Sequence, residues 1–167
     1  LNEIDLGGGK NTLTLIGGMT ALEGGTNRIV TGDGNDVVTM VGKMESRHMN
    51  EINLGGGKNV LTLATGMASK GEGANKVVMG DGDDVLTVAG KMESEFLNQI
   101  DLGGGNNVAT FARGMSATGQ SGANSVAMGS GDDFVTVAGK LYAEGINYID
   151  AGDGDNTVSV AAGMEAK

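Results

Sequence analysis

The fold of this chain is decided by residues 27–44, NRIVTGDGNDVVTMVGKM, a stretch that returns as residues 75–92, NKVVMGDGDDVLTVAGKM. A shorter form of the pattern, an asparagine followed two positions later by Ile or Val, recurs at spacings of 25, 23, 25, 23, 26 and 23 residues. A fixed period of this length predicts a solenoid in which each repeat forms one coil. The asparagines that mark the seven coils are Asn2, Asn27, Asn50, Asn75, Asn98, Asn124 and Asn147.

Each coil carries two runs of alternating apolar residues, one before and one after a Gly-x-Gly turn. Because successive side chains of a strand point to opposite faces, Ile52 and Leu54 are expected inside the coil and Glu51 outside. After the turn, Leu86 and Val88 point inward for the same reason. The chain is therefore predicted to be all-β, a right-handed parallel β-helix or β-roll-like solenoid whose coils of about 24 residues form a single domain, residues 1–167.

Two columns of repeated side chains are expected to stabilise the stack. Each asparagine can donate to the coil on one side and accept from the coil on the other, which satisfies polar groups that are costly to bury. A column of methionines in the third segment of the coil is expected to fill one corner of the core, since the unbranched thioether packs into irregular gaps. Its members are Met19, Met44, Met67, Met92, Met115, Leu141 and Met164.

Composition limits the partners of the chain. Its net charge of −10 argues against nucleic acid, which requires clustered Lys and Arg, and favours small cations. No apolar run approaches the roughly 18 residues of a membrane span, and no signal peptide opens the sequence. Because the sequence starts inside the repeat pattern, we expect a fragment of a larger protein. Its expected contacts are neighbouring domains of the parent chain and end-to-end stacking of exposed coils.

The turns alternate in type, so the true repeat is a doublet of about 48 residues. Odd coils carry GGGKN or GGGNN, as at residues 7–11 and 103–107. Even coils carry GDGND, GDGDD or GSGDD, as at residues 32–36 and 80–84, and the seventh coil is mixed, with GDGDN at residues 152–156. Acidic residues are thus concentrated in every second turn and in the last one.

The even turns resemble the nonapeptide of the RTX, or haemolysin-type calcium-binding, repeat family, Gly-Gly-x-Gly-x-Asp-x-apolar-x. Residues 31–39, TGDGNDVVT, match it at all but the first position, and residues 79–87 and 128–136 do likewise. The resemblance implies Ca²⁺ bound between successive turns by Asp carboxylates and loop carbonyls, the oxygen ligands that calcium prefers. Together with the acids that adjoin these turns, the candidate metal ligands are Asp33, Asp36, Asp81, Asp84, Asp132, Asp133, Asp153 and Asp155.

Two alternatives to calcium are open. Stacking the turns places Lys58 between Asn35 and Asp83, where a lysine could substitute for a metal ion. The Gly-x-Gly motif could also serve only to supply the positive φ of a tight turn, with the acids solvated.

The pattern favours a scaffold over an enzyme. His48 is the single histidine, it lies in a connection, and no catalytic triad can be assembled. We expect a non-catalytic structural module of a secreted or cell-surface bacterial-type protein, such as a stalk, adhesin or matrix segment, located outside the cell. The main alternative is the C-terminal RTX-like module of an exported toxin or hydrolase. Lesser alternatives are ice binding through an outward threonine column and polysaccharide binding, for which Phe134, Tyr142 and Tyr148 are few and fall on different segments.

Overall fold

The computed structural model describes residues 1–167 and consists of strands and turns. Its strands form three parallel sheets of seven strands each, and every coil contributes one strand to each sheet. The all-β parallel solenoid predicted from the repeat is confirmed. None of its segments is a helix of the length and apolarity needed to cross a membrane.

The three sheets are named after the residue that recurs in them. The Asn sheet contains Asn2–Asp5, Thr26–Val30, Met49–Asn53, Ala74–Val78, Leu97–Asp101, Ala123–Ala127 and Ile146–Asp150. The Thr sheet contains Thr12–Leu15, Val37–Met40, Val60–Leu63, Val85–Val88, Val108–Phe111, Phe134–Val137 and Thr157–Val160. The Met sheet contains Met19–Ala21, Met44–Ser46, Gly66–Ser69, Lys91–Ser94, Met115–Ala117, Leu141–Ala143 and Met164–Ala166.

Strands of neighbouring coils pair at equivalent repeat positions. Asn75, for example, lies beside Asn50 on one side and Asn98 on the other. Adjacent parallel strands are about 4.8 Å apart, so each column of the repeat becomes a straight column of like side chains along the solenoid axis. The third segment of the coil, which carries the methionine column, forms a sheet of its own.

The core lies between the three sheets and is filled by columns of Ile, Leu, Val and Met. Ile52, Leu86 and Met92 have no exposed surface, as the alternation predicted. The methionine column is buried in the first six coils, which confirms its assignment to the core. In the seventh coil, the last that the structure describes, Met164 is 47% exposed, because its strand has only one neighbouring strand.

The asparagine column forms the predicted ladder. Each Nδ2 donates to the Oδ1 of the asparagine in the next coil at 2.8–2.9 Å. Its other hydrogen goes to a main-chain carbonyl in the Met strand of the same coil, as from Asn75 to Glu93 at 2.7 Å. The amides therefore join neighbouring coils and also tie the Asn sheet to the Met sheet within each coil.

Candidate functional site: the glycine-turn edge

The glycine turns stack into a continuous edge between the Asn sheet and the Thr sheet. At Gly34 the backbone φ is 146°, and a Cβ would lie 2.1 Å from the carbonyl oxygen of Gly9 in the preceding coil. The stacked turns bond to one another directly, since the Gly34 N–H donates to the Gly56 carbonyl of the next coil at 2.7 Å. Only glycine permits both this φ and this close approach of backbones.

The last residue of each turn points inward and takes part in a second ladder, which we call the turn ladder. Its backbone N–H donates to the side-chain Oδ1 of the same position in the next coil at 2.7–3.0 Å. Asparagine and aspartate alternate along this column. Its members are Asn11, Asp36, Asn59, Asp84, Asn107, Asp133 and Asn156.

In the odd coils the amide nitrogen of the turn ladder completes the turn. Nδ2 of Asn59 donates to the carbonyls of Gly55 and Gly57 in its own turn, at 3.3 and 3.0 Å. It also donates to the carbonyl of Met79 in the next coil at 3.0 Å. Asn107 makes the three equivalent bonds. The odd turns thus satisfy their inward-facing carbonyls with their own side chain.

In the even coils a carboxylate oxygen stands where that amide nitrogen would be. Oδ1 of Asp84 accepts the Asn59 N–H at 2.7 Å as part of the ladder, which leaves Oδ2 in the position of Nδ2. The Oδ2 atoms of Asp36, Asp84 and Asp133 are buried and have no hydrogen-bond partner. Neither a carboxylate nor a carbonyl can donate a hydrogen bond. A proton or a cation on this oxygen would satisfy the even turn, whereas the amide hydrogens of Asn59 and Asn107 satisfy the odd turns within the chain.

Burial changes the titration of the Asp84 and Asp133 carboxyl groups. Asp84 has no exposed surface, and burial raises the pKa of its carboxyl to about 7, although the hydrogen bonds with Asn59 act in the opposite direction. Burial raises the pKa of Asp133 in the same way. The cause is the removal of the charged form from water. A proton would neutralise that charge, whereas a bound cation would stabilise it.

The remaining candidate acids lie on the outside of the turns. Asp33 and Asp81 each accept the backbone N–H of a glycine in the next coil at 3.2 Å. Asp132 accepts the N–H of Asp155 at 2.8 Å, and Asp153 is exposed at the last turn. No three His, Cys, Asp or Glu side chains converge closely enough to hold a metal ion. The candidate ligands thus divide into three inner carboxylates, each with a buried and unpartnered oxygen, and five outer ones on the surface of the turns.

Lys58 neutralises one of the outer acids. Its Nζ lies 2.5 Å from Oδ2 of Asp83, an exposed pair that lowers the pKa of Asp83. The backbone N–H of Lys58 donates to Asn35 at 2.9 Å, so the stacking order of this column is as the sequence indicated. The Oδ2 atoms of Asp36 and Asp84 have no hydrogen-bond partner. The lysine therefore compensates charge on the surface of the turns and leaves the buried carboxylates uncompensated.

Sequence reasoning missed the continuity of the turn ladder. The resemblance in the sequence assigns the even-coil aspartates as metal ligands, whereas each also accepts a backbone N–H from the preceding coil. A signal for this was present, because the inner turn position is Asn or Asp in all seven coils at the same spacing as the Asn ladder.

Other residues singled out by the sequence lie apart from the turn edge. His48 is exposed in the connection after a Met strand. Phe134, Tyr142 and Tyr148 belong to the Thr, Met and Asn sheets respectively, so they face three different sides of the solenoid. The outward threonine column lies in register on the Thr sheet. Its members are Thr14, Thr39, Thr62, Thr87, Thr110, Thr136 and Ser159.

Comparisons with protein-family models, with curated proteins and with solved structures give no match to this chain.

Proposed function

We propose that this chain is a non-catalytic structural repeat module of a secreted or cell-surface bacterial-type protein, a stalk, adhesin or matrix segment whose even-coil turns bind Ca²⁺. The hydrogen bonds of its repeated polar side chains support a structural role. Both the Asn ladder and the turn ladder direct their hydrogen bonds to neighbouring coils. A solenoid in which coils contact only their neighbours suits a rod, because its length can change without changing its fold.

The unpartnered Oδ2 atoms of the inner aspartates carry the calcium proposal. Around Asp84 the repeat places the carbonyls of Gly80 and Gly82, which correspond to the carbonyls that Asn59 satisfies in the preceding coil. A carboxylate oxygen and main-chain carbonyls are hard oxygen donors of the kind that calcium prefers. These residues therefore fit a cation, which would neutralise the buried charge and join adjacent coils.

A proton is the competing occupant of the same position. With a pKa of about 7, Asp84 is divided between its protonated and ionised forms near neutral pH. A protonated carboxyl donates one hydrogen bond and so satisfies one carbonyl, whereas a cation can be shared by several oxygens. Because calcium binds the ionised form, its apparent affinity rises with pH.

Thermal unfolding at pH above the Asp84 pKa tests the proposal. The chain is compared in EDTA, in millimolar Mg²⁺ and in millimolar Ca²⁺. A bound ligand stabilises the folded state by RT ln(1 + [L]/Kd), about 2.7 kcal/mol per site at a hundredfold excess over Kd. We expect a higher melting temperature in Ca²⁺, and a smaller response to Mg²⁺, which demands tighter octahedral geometry.

The matched control is the triple variant Asp36→Asn, Asp84→Asn, Asp133→Asn. Each change installs the side chain that already completes the odd turns, so the variant is expected to fold and to be at least as stable in EDTA. It should lose the calcium response. Overlapping wild-type curves in EDTA and Ca²⁺ would contradict calcium binding, and a triple variant that still responds would move the site to the outer acids.

The exposed end coils support a further part of the proposal, the stacking of another coil on each end. Val158 and Met164 of the last coil are 45% and 47% exposed. Asn147 accepts from Asn124 and donates to the Glu165 carbonyl, and it is the last asparagine of the Asn ladder. A following coil, whether from the parent chain or from another molecule, would bury these groups. Light scattering of the isolated chain should show open-ended growth with concentration, and no growth would contradict end stacking.

A further inference from the structure

The outer face of the Thr sheet carries no charged side chain. Three columns form this surface, which we call the Thr face: the first residue of each Thr strand, the threonine two positions later, and the residue directly after the strand. The first column is Val in coils 2–5 and Phe134 in coil 6, and these side chains are between 36% and 46% exposed. The third column is Ala in coils 3–7. The Thr face is therefore a flat, regular and largely aliphatic surface.

The other two faces are different. On the Asn sheet, Arg28 pairs with Glu3 and Glu51, and Lys76 pairs with Glu51. The Met sheet carries a comparable set of Lys–Glu pairs. In a chain with a net charge of −10, one face without a single charge stands out as a surface for a partner.

We propose that the Thr face binds the Thr face of a second copy of this chain, related by a twofold axis that runs parallel to the solenoid axis above the threonine column. This operation leaves each coil at the same height and reverses the direction of the partner's strands. Every coil then faces the same coil of the other copy. Threonine meets threonine, and the first column of one copy meets the third column of the other, as a self-complementary twofold interface requires.

In coils 3–7 the sizes of the side chains fit this arrangement, whereas in coil 2 Val37 would meet Val41. Val85 would face Ala89 of the second copy, and the same large-to-small match holds in coils 3 and 5. The largest residue of the face, Phe134, would face Ala138 of the second copy. Large side chains opposite small ones allow two sheets to interdigitate at the ordinary separation of about 10 Å. Phe134 interrupts the face as a plane but has a matching recess in this pairing.

The charges that flank the face also match. Along the edge of the face nearest the glycine turns, the flanking outward residues include Lys58, Asp83 and Asp132. Along the edge nearest the Met sheet, the flanking residue is Lys in even coils and Gly in odd coils. Under the twofold operation Asp132 comes opposite Lys140 of the second copy, and Asp83 opposite its Lys91. Lys58 comes opposite Gly66. No coil places two like charges against each other. Lys140 already pairs with Glu165 in its own chain, so the contact would extend an existing ion pair.

The area of the Thr face is sufficient for a reversible dimer. Seven strands about 4.8 Å apart and three columns about 6.6 Å apart give a face of roughly 30 by 19 Å including side chains. Two such faces would bury on the order of 1,100 Å², which passes the roughly 1,000 Å² expected of a specific interface and is smaller than most permanent ones. We therefore expect a dimer that dissociates on dilution.

Sedimentation equilibrium over a range of protein concentrations, in millimolar Ca²⁺, tests the proposal. The informative variant is Thr87→Lys, which places two like charges at the centre of the interface, on the twofold axis. Like-charge contacts cost several kcal/mol, so its dimer dissociation constant should rise at least about a hundredfold. The matched control is Gln99→Lys, an equivalent outward change on the Asn sheet, which should leave the constant unchanged. Melting curves of both variants verify that they fold.

A charge exchange at the rim makes the test specific for the twofold arrangement. Asp132→Lys and Lys140→Asp should each weaken the dimer, and the double variant should restore it. A wild-type chain that stays monomeric, or a dimer that Thr87→Lys does not affect, overturns the proposal. Association that continues beyond two copies and does not change with Thr87→Lys also overturns the proposal, because such association would come from stacking of the coil ends. Thermal hysteresis in a monomer, abolished by Thr87→Lys, would instead assign the face to ice.

Discussion

The odd and even turns of this solenoid stack on one another along the same edge, but they differ in the chemistry of the atom that each turns inward. In the odd coils Nδ2 of Asn59 donates to three carbonyls, and the turn is complete within the protein. In the even coils Oδ2 of Asp84 is buried without a partner. The comparison teaches that one position of a repeat can be satisfied by hydrogen bonds within the chain in one coil, whereas in the next coil the same position would need a proton or a cation.

The largest effect is expected when an odd turn is converted to an even one. Asn59→Asp removes three hydrogen bonds and places another buried carboxylate directly between Asp36 and Asp84. Uncompensated buried charge and lost bonds of this kind cost about 3–5 kcal/mol. Urea unfolding in EDTA at about pH 8 measures the loss. A matched change outside the ladder, Asn106→Asp, should cost much less because that side chain is exposed. Equal effects would show that burial at the inner position is not the cause.

The next effect is a dependence of stability on pH in the absence of metal. The folded pKa of Asp84 is about 7, and its ordinary value is 3.8, so the proton binds more tightly to the folded chain. This contribution is complete below pH 3.8 and is lost as the pH rises through about 7. The free energy of unfolding changes through this group by at most about 4 kcal/mol, which is about 1.4 kcal/mol for each pH unit between its ordinary and its folded pKa. Asp133 acts in the same direction.

Urea unfolding in EDTA from about pH 5 to about pH 8 measures this dependence. Stability should fall across the range, and Asp84→Asn should flatten the curve. Millimolar Ca²⁺ should also remove the fall, because it stabilises the ionised form. A wild-type chain with constant stability in EDTA would mean that the even turns differ from the odd ones in sequence only.

A smaller and uniform effect is expected in the Asn ladder, which does not alternate. Asn50 lies in an odd coil and Asn75 in an even coil, and each donates to the next asparagine at 2.8 Å. Replacing either by alanine leaves buried partners unsatisfied, which costs about 1–3 kcal/mol. Melting of Asn50→Ala and Asn75→Ala should give the same loss within error. Different losses would mean that the doublet extends beyond the turns into the rest of the coil.

The smallest effect is expected on the outer surface of the turns. Lys58 and Asp83 form an exposed pair, and such pairs contribute little to stability. Lys58→Met should therefore leave the melting temperature unchanged while removing a positive charge beside the turns that we propose bind calcium. Calcium affinity, measured by titration, should rise slightly through the lost repulsion. A clear drop in melting temperature would show that the lysine stabilises the turn edge.

Much of the fold could be predicted because the repeat aligns residues that become neighbours in space. The inward direction of Ile52 and Leu86, the burial of Met92 and the hydrogen bonding of Asn75 all follow from the coil period and from strand alternation. The turn was less predictable. The sequence placed Lys58 beside Asp83, but it did not show that Oδ2 of Asp84 is buried without a partner, because strand alternation does not give the course of a turn whose glycines have positive φ.

The sequence by itself determined the period, the doublet, the composition of each column and the absence of charge on the Thr face. Only the tertiary structure decided which side-chain atoms meet inside the turn edge. The reason is that the distinction between Asn59 and Asp84 depends on close stacking of glycine backbones, which brings main-chain carbonyls around one side-chain atom and excludes water from it. The sequence repeat identifies which residues are neighbours along the solenoid axis. Packing in three dimensions determines whether each buried oxygen has a hydrogen-bond partner.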